Sequence, residues 1–230
     1  LTKKGEVMVK GVIFDIDGVI LDSMQVWDKA GEMYLQKLGL QPEPGLSKAL
    51  ETMSMKEGAK FLKERYCLDM DEDEIIKGIN DTIKDFYAHE VRLKEGVERF
   101  LDGLYRLGIK IAAATSCDRE VFEKALVRLN VIGYFDRIFT VTETGSGKTK
   151  PDIFIAAAEH MGTIPEETWV FEDALYAIKT AKSAGFRTAG VYDDYSKDSW
   201  DDIKRISDLY FEKLDDVSDF LEKAASVGYE

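Results

Sequence analysis

Two aspartates one residue apart, Asp15-Ile-Asp17, stand where a short apolar run ends, and Gly18 follows them. In such a pair one carboxylate can attack or bind metal while its neighbour moves a proton. Three later stretches offer companions. Thr115-Ser116 brings hydroxyls, the Gly-rich stretch Thr144-Gly-Ser-Gly-Lys148-Thr-Lys150-Pro151 an ammonium, and Glu172-Asp173 two more carboxylates. Four ionised carboxylates repel one another strongly when crowded, so protonation or a cation must relieve them. Mg²⁺ does this naturally, because it is held by a few carboxylates together with phosphate oxygens and waters. Thr115 and Lys148 would then present a hydrogen bond and a fixed positive charge to phosphoryl oxygens. Neither His89 nor His160 falls at a predicted strand end, which favours an aspartate nucleophile over histidine.

The elements must bring these residues together. Val7–Phe14 reads as a buried strand ending at Asp15. Met24, Trp27, Gly31, Tyr34, Leu35 and Leu38 then follow helical spacing, stopped by Gly39 and by Pro42 and Pro44. Ser54-Met-Lys-Glu57 fits a capping box, and Asp71–His89 gives another helical pattern. From about residue 23 to 95 the chain offers helices and no strand. After that, helices and strands alternate. The strands are Lys110–Ala114, Arg137–Val141, Trp169–Phe171 and Arg187–Val191. Such alternation implies an α/β fold, a Rossmann-like parallel sheet covered by helices on both faces. One strand precedes the helical block and four follow, so residues 1–22 and 96–230 read as the core. Residues 23–95 read as a helical cap inserted after the first strand. Ligands of an open parallel sheet bind beyond the carboxyl ends of its strands, where all the candidates above are predicted to lie.

Composition narrows the partners. The 230 residues are 45% hydrophobic and carry a formal net charge of −13. That balance argues against binding nucleic-acid backbones, which requires clustered Lys and Arg. It leaves anionic substrates open, because one divalent ion reverses the local field. Residues 193–230 hold 12 acidic and 5 basic side chains and read as a solvated acidic surface. No apolar run approaches the ~18 residues needed to span a bilayer. Cys67 and Cys117 show neither metal-ligand spacing nor a disulfide framework, which suits a reducing cytoplasm. A small phosphorylated metabolite is the expected partner, with the chain a monomer or weak homodimer.

With 23 Asp and 18 Gly present, Asp-x-Asp-Gly should arise by chance in roughly one such chain in five. Alone it decides nothing. In order with the other stretches, it resembles the haloacid-dehalogenase-like superfamily, in its capped phosphatase and phosphomutase branch. Phe14-Asp15-Ile-Asp17-Gly18-Val19-Ile20-Leu21-Asp22-Ser23 is similar to the first family motif and Ala114-Thr115-Ser116 to the second. Gly147-Lys148-Thr-Lys-Pro151-Asp152-Ile-Phe154 is similar to the third, with Lys150 an alternative to Lys148. Phe171-Glu172-Asp173-Ala174 is similar to the fourth.

That resemblance implies a phosphoric monoester hydrolase working through an aspartyl-phosphate. Asp15 would attack phosphorus, and Asp17 would protonate the leaving group and then activate water. Mg²⁺ would be held by Asp15, the Asp17 carbonyl and Asp173, with Glu172 as a further candidate. Gly18 and Ser116 would border the phosphoryl group. The cap would choose the substrate. Where β-phosphoglucomutase-like enzymes place a histidine and an arginine, this chain has Trp27 and Met55, and with Met53 these suggest a less polar pocket. Hydrolysis is therefore expected first and a sugar phosphomutase second. A phospho-acceptor signalling domain and a non-catalytic binding protein are the readings from other classes.

Overall fold

The computed structural model describes residues 9–50, 53 and 55–227, with Met55 described by its backbone. β1 (Gly11–Phe14) is buried throughout, and a turn leads to β2 (Leu21–Asp22). Helices α1 (Met24–Lys37), α2 (Leu46–Leu50), α3 (Met55–Tyr66) and α4 (Glu72–His89) follow. β3 (Arg92–Leu93) then returns antiparallel to β2, pairing Leu93 with Leu21. Beyond it come α5 (Val97–Arg106), β4 (Lys110–Thr115), α6 (Arg119–Arg128), β5 (Arg137–Thr140), one-turn α7 (Val141–Thr144) and α8 (Asp152–Met161). The chain ends through β6 (Thr168–Glu172), α9 (Leu175–Ser183), β7 (Arg187–Val191), α10 (Trp200–Ile206), β8 (Leu209–Phe211) and α11 (Val217–Ser226). No helix among the described residues is long and apolar enough to cross a membrane.

The chain divides into two compact units. One holds the residues up to Asp22, Arg92–Arg119 and those from Leu126 onward; the other holds Ser23–Val91 with Glu120–Ala125. The first contains a six-stranded sheet in the order β5-β4-β1-β6-β7-β8, every neighbouring pair parallel. Strands β1, β4, β6 and β7 are buried along most of their length, as strands covered on both faces require. Ile13 and Val170 point into a cluster with Ile153, Phe154 and Ala157 of α8 and Ala177 of α9. The alternate residues Phe14 and Phe171 lie 4.9 Å apart by ring centroids, and Phe171 meets Phe220 of α11 at 5.2 Å. Deleting one such ring costs about 3–5 kcal/mol.

The helical unit is built on α1, α3 and α4. A reciprocal capping box opens α4: Glu74 N donates to Asp71 Oδ1 at 2.8 Å, and Asp71 N donates to Glu74 Oε2 at 2.9 Å. Gly78 lets α1 approach, since a Cβ there would lie 2.3 Å from Tyr34 Cε2.

Several sequence expectations need correction. Among the described residues the first strand runs from Gly11, where pairing with Lys110 and Thr168 begins, so Val9 and Lys10 stand outside it; Val7 and Met8 of the expected strand lie outside the described residues. Residues 23–95 do contain a strand, β3, whose two residues are too few for a periodic signal. Five strands follow the helical block in the main sheet's half of the chain if β8 is counted with the four expected. β8 was hidden because only Phe211 of its three residues is buried. Ser54, the expected cap of α3, lies outside the described residues.

Candidate active site

Register assembles the site. β1 lies between β4 and β6, and Phe14 pairs with Ala113 on one side and Phe171 on the other. Asp15 is therefore level with Ala114 and Glu172, one residue short of Thr115 and Asp173. The Asp15 amide donates to the Phe171 carbonyl at 3.0 Å, continuing the β1–β6 ladder to the nucleophile candidate itself. Carboxylate oxygens of Asp15, Glu172 and Asp173 all lie within 4.8 Å of one another.

Lys148 enters this cluster from the loop beyond α7. Its Nζ stands 2.7 Å from Asp15 Oδ1 and 2.6 Å from Glu172 Oε1, with the lysine side chain only 1% exposed. Lys150, the alternative that the sequence offered, is exposed, so burial favours the same lysine as the spacing from Pro151-Asp152 does. Burial alone would lower the Lys148 ammonium, but the Asp15 and Glu172 carboxylates outweigh it and hold the group above its ordinary value. Burial, followed by repulsion from Asp15, pushes Glu172 up to about 8 although Lys148 opposes the shift. Asp173 is also raised, by burial first and then by Asp15, Glu172 and Asp193.

One lysine does not neutralise three carboxylates. Glu172 is fully buried, and its Oε2 has no hydrogen-bond partner. A buried carboxylate oxygen without a partner, on a residue whose carboxylate lies within 4.8 Å of two others, fits a divalent cation, whose charge would offset the burial and mutual repulsion that raise these groups. Among the described residues the side chains of Asp15, Glu172 and Asp173 could hold it.

The remaining candidates surround this cluster. Asp17 is half-buried in the turn after β1, with its carboxylate close to the Cys117 thiol. Burial pushes that thiol far above its ordinary range, with Asp17 and Asp118 adding to it. Gly18 occupies the left-handed region at φ 77°, and its amide donates to the Leu21 carbonyl at 3.0 Å. A side chain there would strain the turn. Thr115, buried at the end of β4, accepts from the Cys117 amide at 3.0 Å. Ser116 is exposed. Trp27 lies in α1 and donates from Nε1 to the Tyr87 hydroxyl at 3.0 Å, an attachment within the helical unit. Met55 is the first residue of α3 and Met53 precedes it in a bend.

Sequence reasoning missed Tyr176. This α9 residue is 50% exposed, and its phenol lies within hydrogen-bonding reach of the Ser116 side chain. Burial of the ring and the nearby Glu172 carboxylate raise it. Tyr176 is the second residue of the helix that follows the Glu172-Asp173 strand end, and that strand-to-helix junction was the signal that could have placed it at the same sheet edge.

The family model for haloacid dehalogenase-like hydrolases matches residues 12–191. The chain belongs to that family. Among curated haloacid dehalogenase-like relatives, a phosphorylated carbohydrates phosphatase of Thermotoga maritima is 29% identical over 178 residues, covering 77% of this chain and 82% of the relative. A β-phosphoglucomutase of Bacillus subtilis is 28% identical over 190 residues, covering 80% and 83%. The crystal structure of a β-phosphoglucomutase from Clostridium difficile superposes with a TM-score of 0.70 at 20% identity, covering 95% of this chain and 98% of that one. At that identity the structural match shows a shared fold, the Rossmann-like α/β arrangement expected from the sequence.

Proposed function

We propose that the chain is a Mg²⁺-dependent phosphatase that hydrolyses a small phosphomonoester through a phosphorylated Asp15. The observation carrying this reading is the buried Asp15–Lys148–Glu172 chain of contacts beside Asp173, with Glu172 Oε2 left unpartnered. Such a cluster prepares a carboxylate to meet a dianion that it would otherwise repel. An Asp15 oxygen attacks phosphorus as the bond to the leaving oxygen breaks, and Asp17 donates its proton to that oxygen. Asp17 then takes a proton from water, whose oxygen attacks phosphorus and frees Asp15 and inorganic phosphate. Thr115 and Lys148 hold phosphoryl oxygens during both transfers, and Gly18 and Ser116 border them. Bound Mg²⁺ would supply charge neutralisation and alignment between carboxylates and phosphate.

In this reading residues 1–22 and 96–230 form the catalytic core and residues 23–95 a cap that selects the substrate, with Trp27 and Met55 among its contacts. The Thermotoga relative's name supports a phosphorylated carbohydrate as the metabolite. Two free cysteines accord with a cytoplasmic home, and a monomer or weak homodimer would suffice for activity.

The Bacillus relative supports a second reading, a sugar phosphomutase. Trp27 and Met55 stand against it, because neither can anchor the distal phosphate of a bisphosphate intermediate. Phosphate release over a panel of sugar phosphates, nucleotides and glycolytic phosphoesters tests hydrolysis. For β-glucose 1-phosphate both products are followed, with and without a sugar bisphosphate. Hydrolysis predicts free phosphate without the activator. Faster accumulation of glucose 6-phosphate would replace it with the mutase.

A further inference from the structure

One largely buried ammonium takes no part in the chemistry above. Lys94 directly follows β3, and its side chain is 18% exposed. Its Nζ donates to the Gly18 carbonyl at 2.7 Å, the Tyr192 carbonyl at 2.5 Å and Asp193 Oδ2 at 2.9 Å. An ammonium has three donors, and all three are used. The Lys94 amide also donates to the Ile20 carbonyl at 3.0 Å. One residue thus grips the turn after the Asp15-Ile-Asp17 segment at two carbonyls and ties it to the chain just beyond β7.

Both ends of this tie are themselves held. The turn closes on itself through Gly18 N to Leu21 O at 3.0 Å and Leu21 N to Ile16 O at 2.8 Å. Asp193 is fixed through its other oxygen, which accepts from Tyr195 N at 3.0 Å, and its carbonyl accepts from Ser196 N at 3.1 Å. Two carbonyls and a carboxylate make the donor set of a monovalent-cation site, with a tethered ammonium in its middle. A surface ion pair would not need this arrangement, since solvent would satisfy the same carbonyls.

We propose that Lys94 and Asp193 are positioning residues: the ammonium serves as a built-in cation that fixes the Gly18 carbonyl and thereby aims the Asp15–Asp17 segment. This rests on the reading of that segment as the nucleophile and acid. Neither residue touches the reacting atoms, so the expected defect is in turnover and in alignment rather than in substrate binding.

Lys94→Met keeps the stem and removes the donors. The expected result in the full-length protein, with p-nitrophenyl phosphate and Mg²⁺, is a fall in kcat of about 10–100-fold at little-changed KM. Amide hydrogen exchange at Gly18, Ile20 and Leu21 should quicken, a readout that needs no catalysis. In Lys94→Ala, added ethylammonium should restore part of kcat while tetramethylammonium, which has no N–H donors, should not. Wild-type kcat with unchanged exchange in Lys94→Met would overturn the proposal, as would equal effects of the two amines. If Lys94→Met fails to fold, the kcat and KM of Asp193→Ala decide the matter in the same way. A wild-type protein that hydrolyses no phosphomonoester would instead remove the proposed function, and the exchange data would still decide whether the clamp holds the turn.

Discussion

Replacing Lys148 by methionine tests whether one buried cation holds the carboxylate cluster together. The change nearly preserves volume and deletes an ammonium that is 1% exposed and paired at 2.7 Å and 2.6 Å. Removing one partner of a buried ion pair leaves uncompensated charge and costs about 3–5 kcal/mol, whereas an exposed pair is worth about 0–1 kcal/mol. In metal-free protein the loss should depend on pH. Near pH 6 a protonated Glu172, normally pushed up to about 8, needs no cation; near pH 9 its charge is stranded. The full loss is therefore expected at the higher pH and a fraction of it at the lower. The double variant Lys148→Met/Glu172→Gln should recover part of the loss at pH 9, with a coupling of about 0.5–3 kcal/mol. Urea unfolding in EDTA, followed by circular dichroism at both pH values, gives all of these quantities. A loss under about 1 kcal/mol at pH 9, the size expected of an exposed pair, would refute the reasoning, as would a loss independent of pH.

Three further outcomes follow from the same site. Raised above its ordinary 4.5 to about 8, Glu172 contributes stability that is present below the ordinary carboxylate range and lost as pH rises through about 8. Mg²⁺ should displace that proton, so its shift of Tm should grow from pH 6 to pH 9; a shift that shrinks over this window contradicts the cluster as the metal site. Asp17→Asn should lower kcat by about 10²–10⁴-fold for alkyl phosphates and less for p-nitrophenyl phosphate, whose leaving group needs little protonation. Equal losses for the two substrates would remove Asp17 as the acid. Cys117, buried with its thiol held far above the ordinary range, should resist iodoacetamide while exposed Cys67 reacts. Peptide mass spectrometry showing Cys117 alkylated in native protein would show that the pocket is open there.

Much of this was legible in the sequence for identifiable reasons. Asp15, Thr115 and Glu172-Asp173 end apolar runs, and apolar runs ending in polar groups mark the carboxyl edge of a parallel sheet. The helix from Asp71 to His89 was legible in its apolar spacing, because helical periodicity is a purely local signal; the Asp71–Glu74 capping box that opens α4 was not singled out, although both of its residues lie within four positions. Other features depend on tertiary register. β2 and β3 are two residues each and exist only through their mutual pairing. β8 buries only Phe211, so its acidic neighbourhood masked it. Distance from the Pro151-Asp152 pair favoured Lys148 over Lys150, two residues on, and burial agrees, with Lys148 inside and Lys150 exposed. Lys94, Asp193 and Gly18 are separated by most of the chain, and no window of sequence contains all three.

In the proposed reaction the phosphoryl group is transferred to Asp15. Rapid quenching of a turnover mixture with borohydride tests it directly, since an acyl phosphate is reduced to an alcohol and would leave homoserine in place of the aspartate. Homoserine is expected at position 15, dependent on both phosphomonoester and Mg²⁺, and neither homoserine nor phosphate release is expected in Asp15→Asn. A phosphoryl group trapped on another side chain, or sustained phosphate release by Asp15→Asn, would contradict it.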